Sequence, residues 1–236
     1  MALGTTGEIS PVISEYLQTI YNLEMEGEPV HGAALARHFR KSRANISATL
    51  GRMREAGLVA GEGGRGDVNL TAAGRAGAEA ELRKHRLSER YLVDALGMDW
   101  ITAHEQAHHF ELAMTSTLES AILRTLGNPT TCPHGNPIPG QVPDAGRYLR
   151  DLGAIRLSNA SVGAPLEVVS VSEVVEDETR LLRHVGERGL RPGRRVRVVS
   201  RVADSSSILV VADDGKATSV PIDLAGLIWV RPAASQ

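Results

Sequence analysis

Apolar positions recur at helical spacing through the first part of the chain and gather into short strand-like runs in the last. Ser10-Pro11 opens a helix, with a hydroxyl N-cap and proline at the first helical position. Ile13, Tyr16, Leu17 and Ile20 then form a core-facing stripe, and Gly27 with Pro29 marks the stop. A short helix over "GAALARHF", a turn and a second helix over "RANISATLGRMREAG" follow. In the second helix Ile46, Leu50 and Met53 fall at i, i+4 and i+7 on one buried face, leaving Arg43, Asn45, Ser47, Ala48 and Arg52 facing elsewhere. Gly57 ends it, and "LVAGEGGRGDVNLT" reads as strand, glycine-rich turn, strand. That order is a winged helix-turn-helix pattern, in which the second helix fits the major groove of DNA.

Thr71 caps a long helix through "AGRAGAEAELRKHRLSERYLVDAL". A second is expected after Trp100, with Ala107, Phe110, Met114 and Leu118 at helical spacing. By analogy, two such helices behind a winged helix form a dimer interface. "GNPTTCPHGNPIPGQVPD" is an ordered loop or hinge, and residues 141–164 are loose in pattern. "PLEVVSV", "RVRVVS", "SILVVA" and "GLIWV" read as short strands, interrupted by a helix over "ETRLLRHVGERG", and together suggest a small barrel.

Charge sharpens the first domain. Residues 1–30 hold five acids and no Lys or Arg, whereas residues 31–58 hold six bases against one acid. A basic block inside a chain of net charge −2 is a footprint for phosphate. Arg37, Ser42, Arg43, Asn45, Ser47, Thr49 and Arg52 are therefore candidate contacts to double-stranded DNA, and Arg65 at the wing tip a phosphate contact. Only 3% of residues are aromatic, which argues against a base-stacking single-strand binder. The lone Cys132 excludes an internal disulfide framework. With no charged-then-apolar leader and no apolar run near 20 residues, a cytoplasmic chain without a membrane span is expected.

Candidate chemistry centres on "HEQAHHFEL". His104, His108 and Glu111 share one helix face at i, i+4 and i+7, and His85 and Glu89 form an i, i+4 pair on the preceding helix. Imidazoles and carboxylates from two helices suit Fe²⁺, Mn²⁺ or Zn²⁺. The alternative is a zinc metallohydrolase, with His104 and His108 as ligands and Glu105 as general base. It lacks the extended motif, because Glu111 and Met114 stand where glycine and histidine are needed. It also leaves the basic winged helix and the His85/Glu89 pair unexplained.

In "YLQTIYNLE", "RKHRLSERYLVDALG" and "NPTTCPHGNPIPG" the chain resembles the metal-dependent repressors of the diphtheria toxin repressor and iron-dependent regulator family. The resemblance spans nearly the whole chain. It implies a mainly α protein with a small β domain: a winged helix-turn-helix DNA-binding domain (1–74), a helical metal-binding and dimerisation domain (75–146), a linker (147–164) and an SH3-like, FeoA-like domain (165–236). It implies a homodimer on a palindromic operator, with Fe²⁺ or Mn²⁺ as co-repressor and Zn²⁺, Co²⁺ or Ni²⁺ able to substitute in vitro.

The resemblance also assigns residues. His85, Glu89 and His104 correspond to an ancillary metal site completed by Glu173 and Glu176, with Arg86 and Asn136 as anion contacts and Cys132 beside them. Glu15, His108 and Glu111 correspond to the regulatory site, where Leu112 replaces a family histidine. Ala44 and Ala48 replace Pro and Gln of iron-regulator relatives, which implies a different operator or weaker base reading.

Overall fold

The structure is a computed structural model that describes residues 9–61, 67–175, 177–201 and 206–233. Arg65 and Glu176 lie outside the described residues. Helix α1 (Pro11–Met25) is capped by Ser10, whose hydroxyl accepts from the Ile13 amide, and it buries Ile13, Tyr16, Leu17 and Ile20 as the stripe requires. Helices α2 (Gly32–His38) and α3 (Arg43–Glu55) follow, capped by the His31 imidazole and the Ser42 hydroxyl. Strands β1 (Val59–Ala60) and β2 (Asn69–Leu70) pair antiparallel to form the base of the wing.

Helix α4 (Ala72–Asp94) ties this head to the rest of the molecule. Its N-cap Thr71 accepts from the Gly74 amide and donates to the Gly57 carbonyl. At Gly74 a Cβ would lie 1.9 Å from the Leu58 carbonyl oxygen, so only glycine lets α4 leave the hairpin this closely. The first half of α4 adds Ala78 and Leu82 to the α1–α3 core, while its second half turns His85, Arg86 and Glu89 inward. The N-terminal core thus runs past the 74/75 boundary drawn from sequence.

The helix expected after Trp100 is two helices. Helix α5 (Trp100–Phe110) tightens into a 3-10 turn at Glu111–Ala113, Met114 is extended, and α6 (Ser116–Thr125) begins anew. The cause is local: Thr115 accepts from the Leu118 amide as an N-cap, a role that threonine fills better than a helix interior. The break lets Met114 pack with Leu87, Ile122 and Ile138.

The segment read as a linker is ordered. It carries the short helix α7 (Tyr148–Asp151) and strand β3 (Ile155–Arg156), with Leu149 and Leu157 buried. Next come β4 (Pro165–Val171), α8 (Glu178–Glu187), β5 (Arg195–Arg201), β6 (Ser207–Ala212), β7 (Ala217–Pro221), the short helix α9 (Ile222–Ala225) and β8 (Ile228–Pro232). The sheet is antiparallel in the order β3-β8-β4-β5-β6-β7. Two of its strands escape pattern reading: β3 is two residues long, and β7 buries only Val220. Inward Leu166, Val168, Val196, Val198, Val210 and Val230 pack under α8, and Trp100 from α5 is set into the same core. A Cβ on Gly186 would come within 3.2 Å of the Trp100 ring, so α8 lies against α5. Among the described residues no helix is long and apolar enough to cross a membrane.

Candidate metal centre

Helices α4 and α5 pack side by side and bring together the five side chains that the spacing singled out. Glu89, 1% exposed, is the hub. Its Oε1 meets His85 Nε2 at 3.1 Å and His104 Nδ1 at 2.8 Å, and its Oε2 meets His134 Nδ1 at 3.1 Å. The other nitrogen of His85, Nδ1, lies 2.7 Å from Glu111 Oε2, and His108 Nδ1 lies 3.9 Å from Glu111 Oε1. His85, His104 and His108 each offer a ligand atom within 4.8 Å of the others, as do Glu89, His104 and His134.

Electrostatics holds this cluster together. Burial opposes charge on His85, but Glu89 and Glu111 outweigh it and raise the pKa well above the usual imidazole value. Burial likewise opposes ionisation of Glu89, yet His134, His85 and His104 keep its carboxyl well below the ordinary range. His104 is raised to about 9, against burial, by Glu178 and Glu89; Glu111 is lowered to about 2, against burial, by His108 and His85. Protons on the rings compensate the carboxylates here, and a divalent ion can take their place. Imidazole and carboxylate donors without a thiolate fit Fe²⁺, Mn²⁺ or Zn²⁺. Cys132 does not change that chemistry. Its sulfur lies 3.8 Å from His134 Nδ1, but burial, then the charges of Glu89 and Glu173, push its thiol far up.

Glu173 and the two expected anion contacts have other partners. Arg86 is fully buried; its Nε and Nη2 donate to the two Glu173 oxygens at 3.1 and 2.6 Å, and Nη2 also donates to Asn22 Oδ1 at 2.9 Å. Asn22 Nδ2 in turn donates to Glu173 Oε2 at 2.9 Å. Asn136 donates to the Val171 carbonyl and accepts from the Ser170 hydroxyl. Glu173 therefore serves Arg86 as an internal carboxylate partner and joins α1, α4 and the segment after β4. Glu15 is exposed on α1 and lines a cleft of about 750 Å³ together with His85, His104, His108, Glu111 and Glu178. Leu112 lines it too and is 83% exposed.

Three residues of this site were not anticipated from sequence. His134 arrives on the proline-rich loop, Glu178 from the start of α8, and Asn22 from α1. The "CPHG" run was the available signal for His134, but periodicity places helix faces and not loop residues.

Ser42 at the N-cap of α3, Arg43, Asn45, Ser47 and Arg52 on α3 and Arg37 on α2 are exposed. Thr49 is a correction: it is 1% exposed and its hydroxyl accepts from Arg52 Nη2 at 3.2 Å, because position 49 lies beside Leu50 and Met53 on the buried side. Ser42 spends its hydroxyl on capping the Asn45 amide.

Comparison with known proteins agrees along the chain. Residues 8–66 match the model for the iron dependent repressor N-terminal DNA binding domain, residues 71–140 the iron dependent repressor metal binding and dimerisation domain, and residues 155–232 the FeoA domain. The iron-dependent repressor IdeR of Mycobacterium leprae is 35% identical over 223 residues, covering 92% of this chain and 95% of that protein. The diphtheria toxin repressor of Corynebacterium diphtheriae is 32% identical over 219 residues, with 92% and 95% covered. A manganese-dependent transcriptional repressor solved in complex with manganese superposes with a TM-score of 0.77 at 30% identity, over 94% of this chain and all of that one. The metallohydrolase alternative falls with these matches, and Glu105, its would-be base, is exposed off the ligand cluster. The chain belongs to the iron-dependent, diphtheria toxin repressor family of metal-dependent transcriptional repressors, which are DNA-binding regulators and not enzymes.

Proposed function

We propose that this repressor takes Fe²⁺ or Mn²⁺ as co-repressor, binds a palindromic operator as a homodimer and controls metal-homeostasis genes in the cytoplasm. Zn²⁺, Co²⁺ and Ni²⁺ substitute in vitro, since their affinity for such donor sets equals or exceeds that of the physiological ions. The observation that carries the reading is the convergence of three imidazoles on the buried Glu89, beside a cleft lined by Glu15 of α1 and by His108 and Glu111 at the end of α5. Two groups of residues would hold the ions: His85, Glu89 and His104 inside, and Glu15, His108 and Glu111 at the cleft.

A bound ion supplies a compact positive charge that lets carboxylates and imidazoles from separate helices share one centre. The chain does the rest. Glu15 lies on the helix whose far face packs in the α1–α3 core, so a restraint on α1 is a restraint on the recognition helix α3. Fixing α3 in both protomers sets the separation of the two recognition helices, which a palindrome requires to be near one helical turn, roughly 34 Å. Metal and DNA then tighten each other by the same factor. The donor set around Glu15, all nitrogen and oxygen, suits a harder ion than a thioether site would.

The test is fluorescence anisotropy of chelator-stripped protein on DNA from its own upstream region, titrated anaerobically with Mn²⁺, Fe²⁺ and Zn²⁺ at fixed salt. Tightening of about tenfold or more, roughly 1.4 kcal/mol of coupling, is expected. Equal affinity with and without every ion overturns the reading.

A further inference from the structure

Resting on that reading, the donors of the inner site extend beyond the two helices that carry His85, Glu89 and His104. We propose that His134, on the proline-rich loop, is a further ligand of the ion held there, binding through Nδ1 on the buried side of Glu89 and His104.

Three observations carry this. First, His134 is completely buried, and both of its ring nitrogens have partners. Nε2 lies 3.2 Å from the Trp100 carbonyl oxygen, which can only accept, so Nε2 holds the ring hydrogen. Nδ1 then turns its lone pair toward Glu89 Oε2 at 3.1 Å, and two acceptors face each other unless a cation sits with both. A hydrogen on Nδ1 meets that need in the metal-free cluster, and an ion meets it when metal is present. A ligand imidazole commonly donates its other N–H to a backbone carbonyl, and His134 is set in that way.

Second, the spacing is that of neighbours in one coordination shell. Donors bound about 2.1 Å from one ion at a right angle stand about 3.0 Å apart. Nδ1 of His134 and Oε2 of Glu89 are 3.1 Å apart, and Glu89, His104 and His134 offer ligand atoms all within 4.8 Å of one another. Of the three, only His104 also lines the cleft, so this triad lies behind it.

Third, the loop holds the ring in place. Arg90 of α4 donates to the Thr131 and Cys132 carbonyls at 2.9 and 2.7 Å, and the Cys132 amide donates to the Asn136 carbonyl at 2.9 Å, closing a turn around His134. On the other side the His134 carbonyl accepts from the Val171 amide at 3.0 Å, and Asn136 donates to the Val171 carbonyl. At Gly135, φ +85°, a Cβ would stand 1.9 Å from the Val169 carbonyl oxygen, so only glycine lets the loop lie this close to β4. An ion on His134 therefore joins α4 and α5 to the loop, and through backbone hydrogen bonds to the C-terminal sheet.

The experiment is proton NMR of the metal-stripped full-length chain titrated with Co²⁺, with His134→Ala and His134→Gln beside wild type. Co²⁺ shifts the N–H hydrogen of every imidazole bound to it far outside the ordinary range, and burial of the His134 ring slows exchange of that hydrogen with water. Wild type should show one more such signal than either variant, and one class of Co²⁺ site should bind about tenfold more weakly in both. His134→Gln keeps an N–H donor for the Trp100 carbonyl, so it gives the comparison should His134→Ala fail to fold. The same set of shifted signals in wild type and a folded variant would overturn the ligand role, even with weakened Co²⁺ binding, since His134 would then act only by orienting Glu89. Absence of Co²⁺ binding in wild type would overturn the metal reading and this proposal with it.

Discussion

The guanidinium of Arg156 stacks 4.0 Å from the centre of the Trp229 ring while donating to Glu26 at 2.9 Å, a residue 130 positions earlier in the chain. Glu26 is 6% exposed at the end of α1 and also accepts from the Ser172 hydroxyl at 2.7 Å. One arginine on the edge strand β3 thus holds the DNA-binding head against the C-terminal sheet. Burial keeps the Glu26 carboxyl above its ordinary value even though Arg156 and Ser172 pull it down. Arg156→Ala removes the main compensation for that buried charge and the stacking on Trp229. A loss of about 3 kcal/mol in stability is expected, read as a lower urea midpoint. A midpoint unchanged from wild type would show that the head is held by other contacts.

Glu173 offers a parallel case with a different consequence. Glu173→Ala strands the fully buried Arg86 without its carboxylate, and removal of one partner from such a pair costs about 3–5 kcal/mol. The loss should appear in the metal-free protein, before any ion is added. A metal-free melting temperature equal to wild type, with lowered metal affinity, would instead assign Glu173 to the metal.

The pH dependence of metal-free stability follows from the cluster. Glu111, lowered from 4.5 to about 2, contributes stability above about pH 4.5 that is lost as pH falls toward 2. His104, raised from 6.5 to about 9, contributes stability below about pH 6.5 that is lost as pH rises through 9. Glu178, raised from 4.5 to about 7 by burial against the pull of His104, adds a further loss as pH climbs from 4.5 to 7. The metal-free protein should therefore be most stable near pH 4.5 and lose stability as pH rises from there through 9. With metal bound the alkaline loss should shrink, because the ion replaces the protons. Urea midpoints across this range, with and without Mn²⁺, give the comparison; a metal-free optimum at pH 8 would contradict it.

How much of this was legible in the sequence depends on how local each cause is. His85 with Glu89, and His104 with His108, were readable because i, i+4 spacing on a helix is itself a contact geometry. The winged helix was readable because caps, stripe and glycine stops agree. The break between α5 and α6 is not legible, since Phe110, Met114 and Leu118 keep helical spacing while Thr115 caps a new helix. Thr49 is a candidate DNA contact by sequence yet buried, because Ile46, Leu50 and Met53 alone already complete a helical stripe and nothing in their spacing extends it to position 49. His134 and Glu178 reach the cluster from a loop and from another domain, across 45 and 74 positions to Glu89 and His104, and no local pattern encodes such distances.

On α3 the exposed side chains divide by chemistry. Arg43 carries charge and should contact phosphate; Asn45 carries a donor–acceptor pair suited to a base edge. Arg43→Ala should weaken operator and random DNA alike and reduce the salt slope by about 1. Asn45→Ala should instead narrow the gap between operator and random DNA, by about 1–3 kcal/mol if one base pair is read. Identical salt slopes for wild type and Arg43→Ala would remove Arg43 from the phosphate contacts.

Leu112 is where a change should improve the site. It is 83% exposed, follows Glu111 in the 3-10 turn and lines the cleft with Glu15 and His108, so its apolar side chain stabilises little. The family resemblance puts a histidine there. Leu112→His adds an imidazole to a site that has one ligand fewer, and the Mn²⁺ midpoint for DNA binding should fall by about tenfold, near 1.4 kcal/mol, without loss of thermal stability. The contrast with His108→Ala is informative, because that change removes a donor from the same turn and should shift the midpoint the opposite way. If Leu112→His leaves the midpoint in place while His108→Ala raises it, the tighter 3-10 geometry turns position 112 away from the ion, and the regulatory site works with Glu15, His108 and Glu111 alone.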